Sequence, residues 1–287
     1  MGETDKVGFV LCADDFGLSP AVSDGILEAV SAKRLSAVSC MATMEDLSST
    51  GPRLQNFAAD IDIGLHLTLT DLPPLGPMPR LAGNGTLPRF GHLARTSIGG
   101  GLPIDEIRTE LRRQLDRFID IFGRMPDFLD GHHHIQQLSG IRNVVLDMAA
   151  DCPDEKPWLR TCDEKLSHIV QRGVSVSKAL FVGWPGRAFQ HQVLSRKLSC
   201  NNGFAGIYDF SGEMPYEALF DRFTDHLSAG ALIMCHPGRV DDELRIRDGL
   251  TDQRETELDF LLSEKFKDML SAKNLRLARL KECFDRR

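Results

Sequence analysis

Val7–Leu18 reads VGFVLCADDFGL. Val7, Phe9, Val10, Leu11 and Cys12 form an apolar run of strand length that stops at two adjacent carboxylates, Asp14 and Asp15. Gly17 and Pro20 then break the chain before Ala21–Lys33, where Val22, Ile26, Leu27 and Val30 recur at helical spacing behind Ser19 as a cap. A buried strand that ends in acid and turns into a helix is how α/β sheets and barrels present reactive groups at strand C-termini. Carboxylates side by side repel, so one is kept protonated or the two share a cation. An Asx-turn with a helix cap would explain the same dipeptide without any function. The ends of the later strands decide between these readings.

Those later runs repeat the pattern. In Ile61–Thr70, IDIGLHLTLT, the odd positions are apolar at period two, and His66 shares the other face with Thr68 and Thr70. Pro126–Gln136, PDFLDGHHHIQ, is a short strand followed by Asp130, Gly131 and three histidines. On a strand, His132 and His134 point one way and His133 the other. Ala231–Gly238, ALIMCHPG, delivers His236 to the end of a buried run. Ala37–Thr43, Trp158–Cys162, Ala179–Val182 and Asn274–Lys281 also read as strands, the second carrying Arg160 inward. Ile104–Phe122 is the clearest amphipathic helix, and shorter helical segments separate the other strands. Residues 71–102 are rich in Pro and Gly, an insertion that reads as a lid or binding loop.

Strands alternating with helices run parallel through right-handed crossovers, so their C-terminal ends share one face. About seven such strands predict an α/β fold, a distorted single-domain (β/α) barrel spanning residues 1–287. No Gly-rich phosphate loop follows the first strand, which argues against a doubly wound nucleotide-binding sheet. The net charge of −7 argues against nucleic acid as a partner. No apolar run reaches the ~18 residues of a membrane span. The seven cysteines are scattered, without a C-x-x-C pair, as in a reduced cytoplasmic protein.

One carboxylate and two histidines with open positions suit Zn²⁺, Mn²⁺ or Fe²⁺. Such an ion acidifies water and polarises a carbonyl, a second carboxylate can take the proton, and a further histidine can protonate the leaving group. These are the parts of a metal-assisted hydrolase of an amide or ester. The same three ligands also describe an iron oxygenase, and a sugar-binding barrel without catalysis is a third possibility.

Four motifs, ADDFG (Ala13–Gly17), GLHLTLT (Gly64–Thr70), DGHHHIQ (Asp130–Gln136) and MCHPG (Met234–Gly238), occur in an order that resembles the YdjC-like carbohydrate deacetylases, the family of the chitooligosaccharide deacetylases. The resemblance implies a distorted (β/α) barrel that removes an acetyl group from an N-acetylated amino sugar. It implies one divalent metal ion, Zn²⁺ or Mg²⁺, held by Asp15, His66 and His132, with Asp14 as general base and His236 as acid. Arg160, His134 and Trp184 are assigned to the substrate. The pattern departs at Gln136, where the related enzymes carry a further histidine able to touch substrate. The expected partner is a small carbohydrate, with no nucleic acid and no membrane, and a homodimer is compatible with the sequence.

Overall fold

The computed structural model describes residues 6–152 and 156–284. Its strands are β1 (Val7–Phe16), β2 (Ala37–Cys40), β3 (Asp62–Leu67), β4 (Phe128–Gly131), β5 (Trp158–Leu159), β6 (Phe204–Ala205), β7 (Leu232–Cys235) and β8 (Leu275–Leu277). The helices of the first half are α1 (Pro20–Ser31), α2 (Leu47–Gln55), α3 (Phe90–Ile98), α4 (Ile104–Phe122) and α5 (Ile141–Ala150). Those of the second half are α6 (Leu166–Arg172), α7 (Val176–Ser195), α8 (Tyr216–Phe223), α9 (Asp242–Arg247), α10 (Asp252–Leu262) and α11 (Glu264–Ala272). Every strand pair is parallel, in the order β5-β4-β3-β2-β1-β7-β6, with β8 against the first three residues of β1. This is the expected distorted (β/α) barrel.

The two short end strands do not pair as a ladder. A parallel bridge, Leu159 to Cys200, instead joins the end of β5 to the segment just ahead of β6. Beyond it the side chain of Asn201 stands in for strand hydrogen bonds: its Oδ1 accepts from Thr161 N at 2.8 Å and its Nδ2 donates to Thr161 O at 2.9 Å. A side-chain amide carries both a donor and an acceptor, so it can complete a backbone edge that has no neighbour.

Alternation along the strands sorts two cores. Phe9, Leu11 and Ala13 belong to the large core shared with the helices, whereas Val10 and Cys12 belong to a smaller cluster with Phe128, Trp158, Phe204, Leu232 and Met234. The smaller cluster fills the barrel, with Leu280 and Cys283 joining it from the C-terminal segment. Gly64 leaves space for this filling, because a Cβ there would sit 2.4 Å from the Phe128 ring. Two residues further along each strand, the inward positions become Asp14, His66, Asp130, Arg160 and His236. The interior is therefore mostly apolar below, apart from the Asp62–Arg279 ion pair, and ionic at the C-terminal mouth, as period-two geometry requires once the polar residues stand two places after the apolar ones.

The flanks correct one expectation. Ala179–Val182 is a turn of the 20-residue helix α7, not a strand. Gly186, Phe189 and Val193 bury its inner face. A four-residue apolar run cannot be told from one turn of a packed helix by pattern alone. Residues 71–102 are strapped down: the Leu75 and Gly76 amides donate to Glu110 of α4, and those of Arg80 and Leu81 donate to Glu106. Leu72, Met78, Ala82, Leu87 and Leu93 are buried beneath this strap.

Candidate metal centre and catalytic pocket

Regular alternation would place Asp14 inside the barrel and turn Asp15 outward, away from it. A bulge prevents this. Ala13 pairs with Val38 but Phe16 pairs with Cys40, so β1 spends one more residue than β2 on the same span. Asp15 absorbs it with φ of 68°, a left-handed conformation that non-glycine residues seldom adopt. Both carboxylates thereby face the mouth. Asp15 Oδ1 lies 3.3 Å from His66 Nε2 and 3.2 Å from His132 Nδ1. One ligand atom from each of Asp15, His66 and His132 falls within 4.8 Å of the others.

The three consecutive histidines do not continue the strand. β4 ends at Gly131, and His132–Gln137 forms a 3-10 turn in which His133 (φ 55°) and His134 (φ 59°) are left-handed. The rings of His132 and His133 stay packed at 3.9 Å, tilted by 35°, while His134 turns away to Phe204, so the three do not alternate. His132 meets Asp15, and His133 lies 3.0 Å from Thr70 Oγ1 and packs edge-on against Phe90. His134 turns edge-on to Phe204, with its Nδ1 buried and without a hydrogen-bond partner.

Behind the triad stands a layer of buried charge. Asp130, opposite His66 in the β3–β4 register, places Oδ1 2.7 Å from His66 Nδ1 and accepts from the Ser39 hydroxyl. Arg160 is fully buried. It grips Asp14 with both terminal nitrogens, at 2.6 and 2.5 Å, while Nη2 also sits 2.5 Å from Asp130 Oδ2. Arg160 was expected at the substrate; it lies underneath the site and holds Asp14. Arg254, also fully buried, donates to Asp15 Oδ2 at 2.7 Å and to Asp248 at 2.6 Å.

These pairings set the protonation of the site. Burial alone would raise Asp14, but the charge and hydrogen bonds of Arg160, with help from His66 and His236, hold it down at about 2. Asp15 is likewise held well below the ordinary carboxylate range: burial opposes this and is outweighed by Arg254 and the two histidines. Burial would lower His66, yet Asp130, Asp15 and Asp14 push it up to about 10.

Across the mouth, His236 follows β7. Its backbone N–H donates to buried Glu257 at 2.6 Å, and Glu257 also accepts from the Tyr208 hydroxyl. Its ring meets Phe210 edge-on, and its Nδ1 is buried without a partner. Trp184, on α7, is 87% exposed at the rim of a groove of about 780 Å³ that reaches His133 and His134 between α3 and α7. Gln136 does not reach the mouth: it is fully buried and donates to the Arg160 carbonyl. Trp158 is buried at the barrel floor against Phe128.

The donor set fits a divalent cation. Among the described residues, four buried or part-buried carboxylates, Asp14, Asp15, Asp130 and Asp248, face two guanidiniums and the raised His66, which still leaves negative charge for a cation to offset. A second cluster of Cys12, Asp14 and Asp130 has metal-like spacing. Arg160 Nη2 already lies 3.0 Å from Cys12 Sγ and 2.5 Å from each carboxylate, so a guanidinium fills that position.

Asp130, Arg254, Glu257 and Tyr208 were missed as site residues in the sequence. Asp130 had a signal, since it stands two places after Phe128 on an inward strand face. Arg254 and Glu257 had none: in DQRETELDFLL they look like the solvated face of a helix.

Comparison with known proteins finds relatives along nearly the whole chain. The chain is 29% identical over 272 residues to the chitooligosaccharide deacetylase of Escherichia fergusonii, covering 93% of this chain and 96% of that one. It is 30% identical over 276 residues to the chitooligosaccharide deacetylase of Salmonella enteritidis PT4, covering 93% and 95%. Its fold matches a crystal structure from Enterococcus faecalis V583, provisionally named a cellobiose-phosphate cleavage protein, with a TM-score of 0.75 at 20% identity over 96% of this chain and 98% of that one. The model of the family described as YdjC-like protein matches residues 8–272, nearly everything from β1 to the end of α11, and the chain belongs to that family.

Proposed function

We propose that this protein is a carbohydrate N-deacetylase that hydrolyses the acetamide of an N-acetylated amino sugar. The observation that carries the reading is the convergence of Asp15, His66 and His132 on one point, with Asp14 beside them in the same bulge. The names of the relatives support the sugar and the acetyl group. The triad would hold one divalent cation, and its nitrogen-rich donor set favours Zn²⁺ over Mg²⁺.

When bound, such a cation acidifies water and polarises an acyl oxygen. The chain supplies the rest. Asp14, kept ionised by Arg160, takes a proton from the attacking water; its Oδ2 retains a lone pair beyond the one engaged by the guanidinium, whereas Oδ1 also accepts from the Cys12 thiol. The water oxygen bonds to the acetyl carbon, the C–N bond breaks, and His236 gives its proton to the departing amine. Acetate and a free amino sugar are the products. His134 and Trp184 would meet the sugar along the groove. An iron oxygenase would use the same triad, but it would leave Asp14, its guanidinium clamp and His236 without tasks.

The test is acetate release from a panel of N-acetylated sugars by protein stripped with chelator and reloaded with Zn²⁺, Mg²⁺ or Mn²⁺. Asp14→Asn is expected to keep the cation and lose ~10²-fold or more in turnover. Unchanged turnover in that variant would remove the proposed base.

A further inference from the structure

We infer that Asp130 is a positioning residue shared by the two halves of the site: the same carboxylate orients the ligand His66 and the guanidinium that holds the base. The inference rests on the proposed metal triad. Asp130 Oδ1 sits 2.7 Å from His66 Nδ1, and Oδ2 sits 2.5 Å from Arg160 Nη2. Its partners are fixed from several elements. His66 is its register neighbour on β3, Ser39 on β2 donates to Oδ1, and Arg160 follows β5. The residue is wholly buried, so solvent cannot replace either contact.

The chemistry follows from the donors and acceptors. An ionised carboxylate only accepts, so it fixes the Nδ1–H tautomer of His66 and leaves Nε2, the nitrogen that faces Asp15, free to ligate. The same charge draws Arg160 Nη2 to a point between Asp130 and Asp14. Asparagine has the shape of aspartate but a single acceptor oxygen, so it can serve His66 or Arg160 but not both. A substitution at Arg160 that keeps its charge touches only the base half.

The experiment is a pair of variants in the full chain, each tested for cation affinity by competition with a chromogenic chelator and for turnover at saturating cation. Asp130→Asn is expected to weaken Zn²⁺ ~10–100-fold and to lower turnover even when fully loaded. Arg160→Lys is expected to lose turnover while its Zn²⁺ affinity stays within ~3-fold of wild type, since no ligand changes its tautomer. A folded Asp130→Asn with wild-type affinity would overturn the inference. If that variant does not fold, ¹⁵N spectra of the Zn²⁺-loaded wild type decide instead. They are expected to show the proton of His66 on Nδ1, and a proton on Nε2 would overturn the inference. If Zn²⁺ fails to bind wild type at all, the proposed triad falls first, and the two failures are told apart.

Discussion

Replacing Arg160 by methionine removes the single cation wedged between two buried carboxylates, and the structure sets how that loss should depend on pH. Asp14 is held at about 2 against an ordinary value of 3.8, a difference equivalent to about 2 kcal/mol of stabilisation. Asp130 loses the same partner, so the whole effect should approach the ~3–5 kcal/mol typical of breaking a buried pair. The sign is fixed by linkage. In wild type the contribution of Asp14 is present above 3.8 and is lost as pH falls through about 2. In the variant only His66 and His236 still oppose burial, so Asp14 rises from its wild-type value and its ionised form no longer stabilises the fold to the same extent. The stability gap should therefore be widest at pH 8 and shrink toward pH 4.5, where the carboxyl keeps its proton. Urea unfolding of chelator-treated protein at pH 4.5, 6 and 8 measures this, with expected gaps of about 1–2 kcal/mol at the acid end and 3–5 at the alkaline end. Hydrolysis should move to higher pH in parallel. A gap that stays constant across pH, or falls below about 1 kcal/mol at pH 8, would refute the assignment of Arg160 as the clamp on Asp14.

Other outcomes follow from the same geometry. His66 is pushed up to about 10, so at pH 7 it carries a proton that a cation at Nε2 must displace. Calorimetry in buffers of different ionisation enthalpy should then find about one proton released per cation, with affinity rising ~tenfold per pH unit between pH 6 and 9. Proton-neutral binding would contradict this. Asn201→Ala removes the amide that joins the ends of the barrel and leaves two Thr161 backbone groups unpaired. It should lower the urea midpoint by an amount equivalent to about 1–3 kcal/mol. Trp184→Ala should change stability by less than about 0.5 kcal/mol, because the ring is 87% exposed. It should still raise KM for the sugar several-fold at unchanged kcat, and an unaltered KM would take Trp184 out of the binding surface.

The barrel and the identity of its mouth were legible because both are written in local pattern. Apolar runs of strand length separated by helical stripes fix parallel strands, and each ionisable residue at the end of such a run falls on the shared face. Two features escaped for different physical reasons. The arrangement of His132, His133 and His134 depends on two left-handed residues, a conformation that alternation does not predict and that a non-glycine residue adopts only when its surroundings hold it there. The pairing of Arg254 with Asp15 joins residues 239 apart in the chain, so no local spacing announces it. Ala179–Val182 failed for lack of length: within 20 residues of helix, an Ala-Leu-Phe-Val turn looks like a strand when read alone.

The charge of the mouth ties stability to the ligand. Buried carboxylates in excess of guanidiniums oppose folding, and a domain with only about 5–15 kcal/mol of net stability has little margin for them. Asp15 adds a strained backbone at the same point. Arg160 and Arg254 offset part of this by fixing Asp14 and by occupying the outer oxygen of Asp15, which turns the inner oxygen toward His66 and His132. The remaining negative charge is what a divalent cation can relieve. Binding and folding are thus linked, and a cation at ~100 times its Kd would add about 2.7 kcal/mol to the stability of the fold. The same excess of buried negative charge is what the divalent cation of the proposed function would offset. The two arginines would thus act on the proposed cation site through the charge they neutralise on Asp14 and Asp15, although neither supplies a ligand.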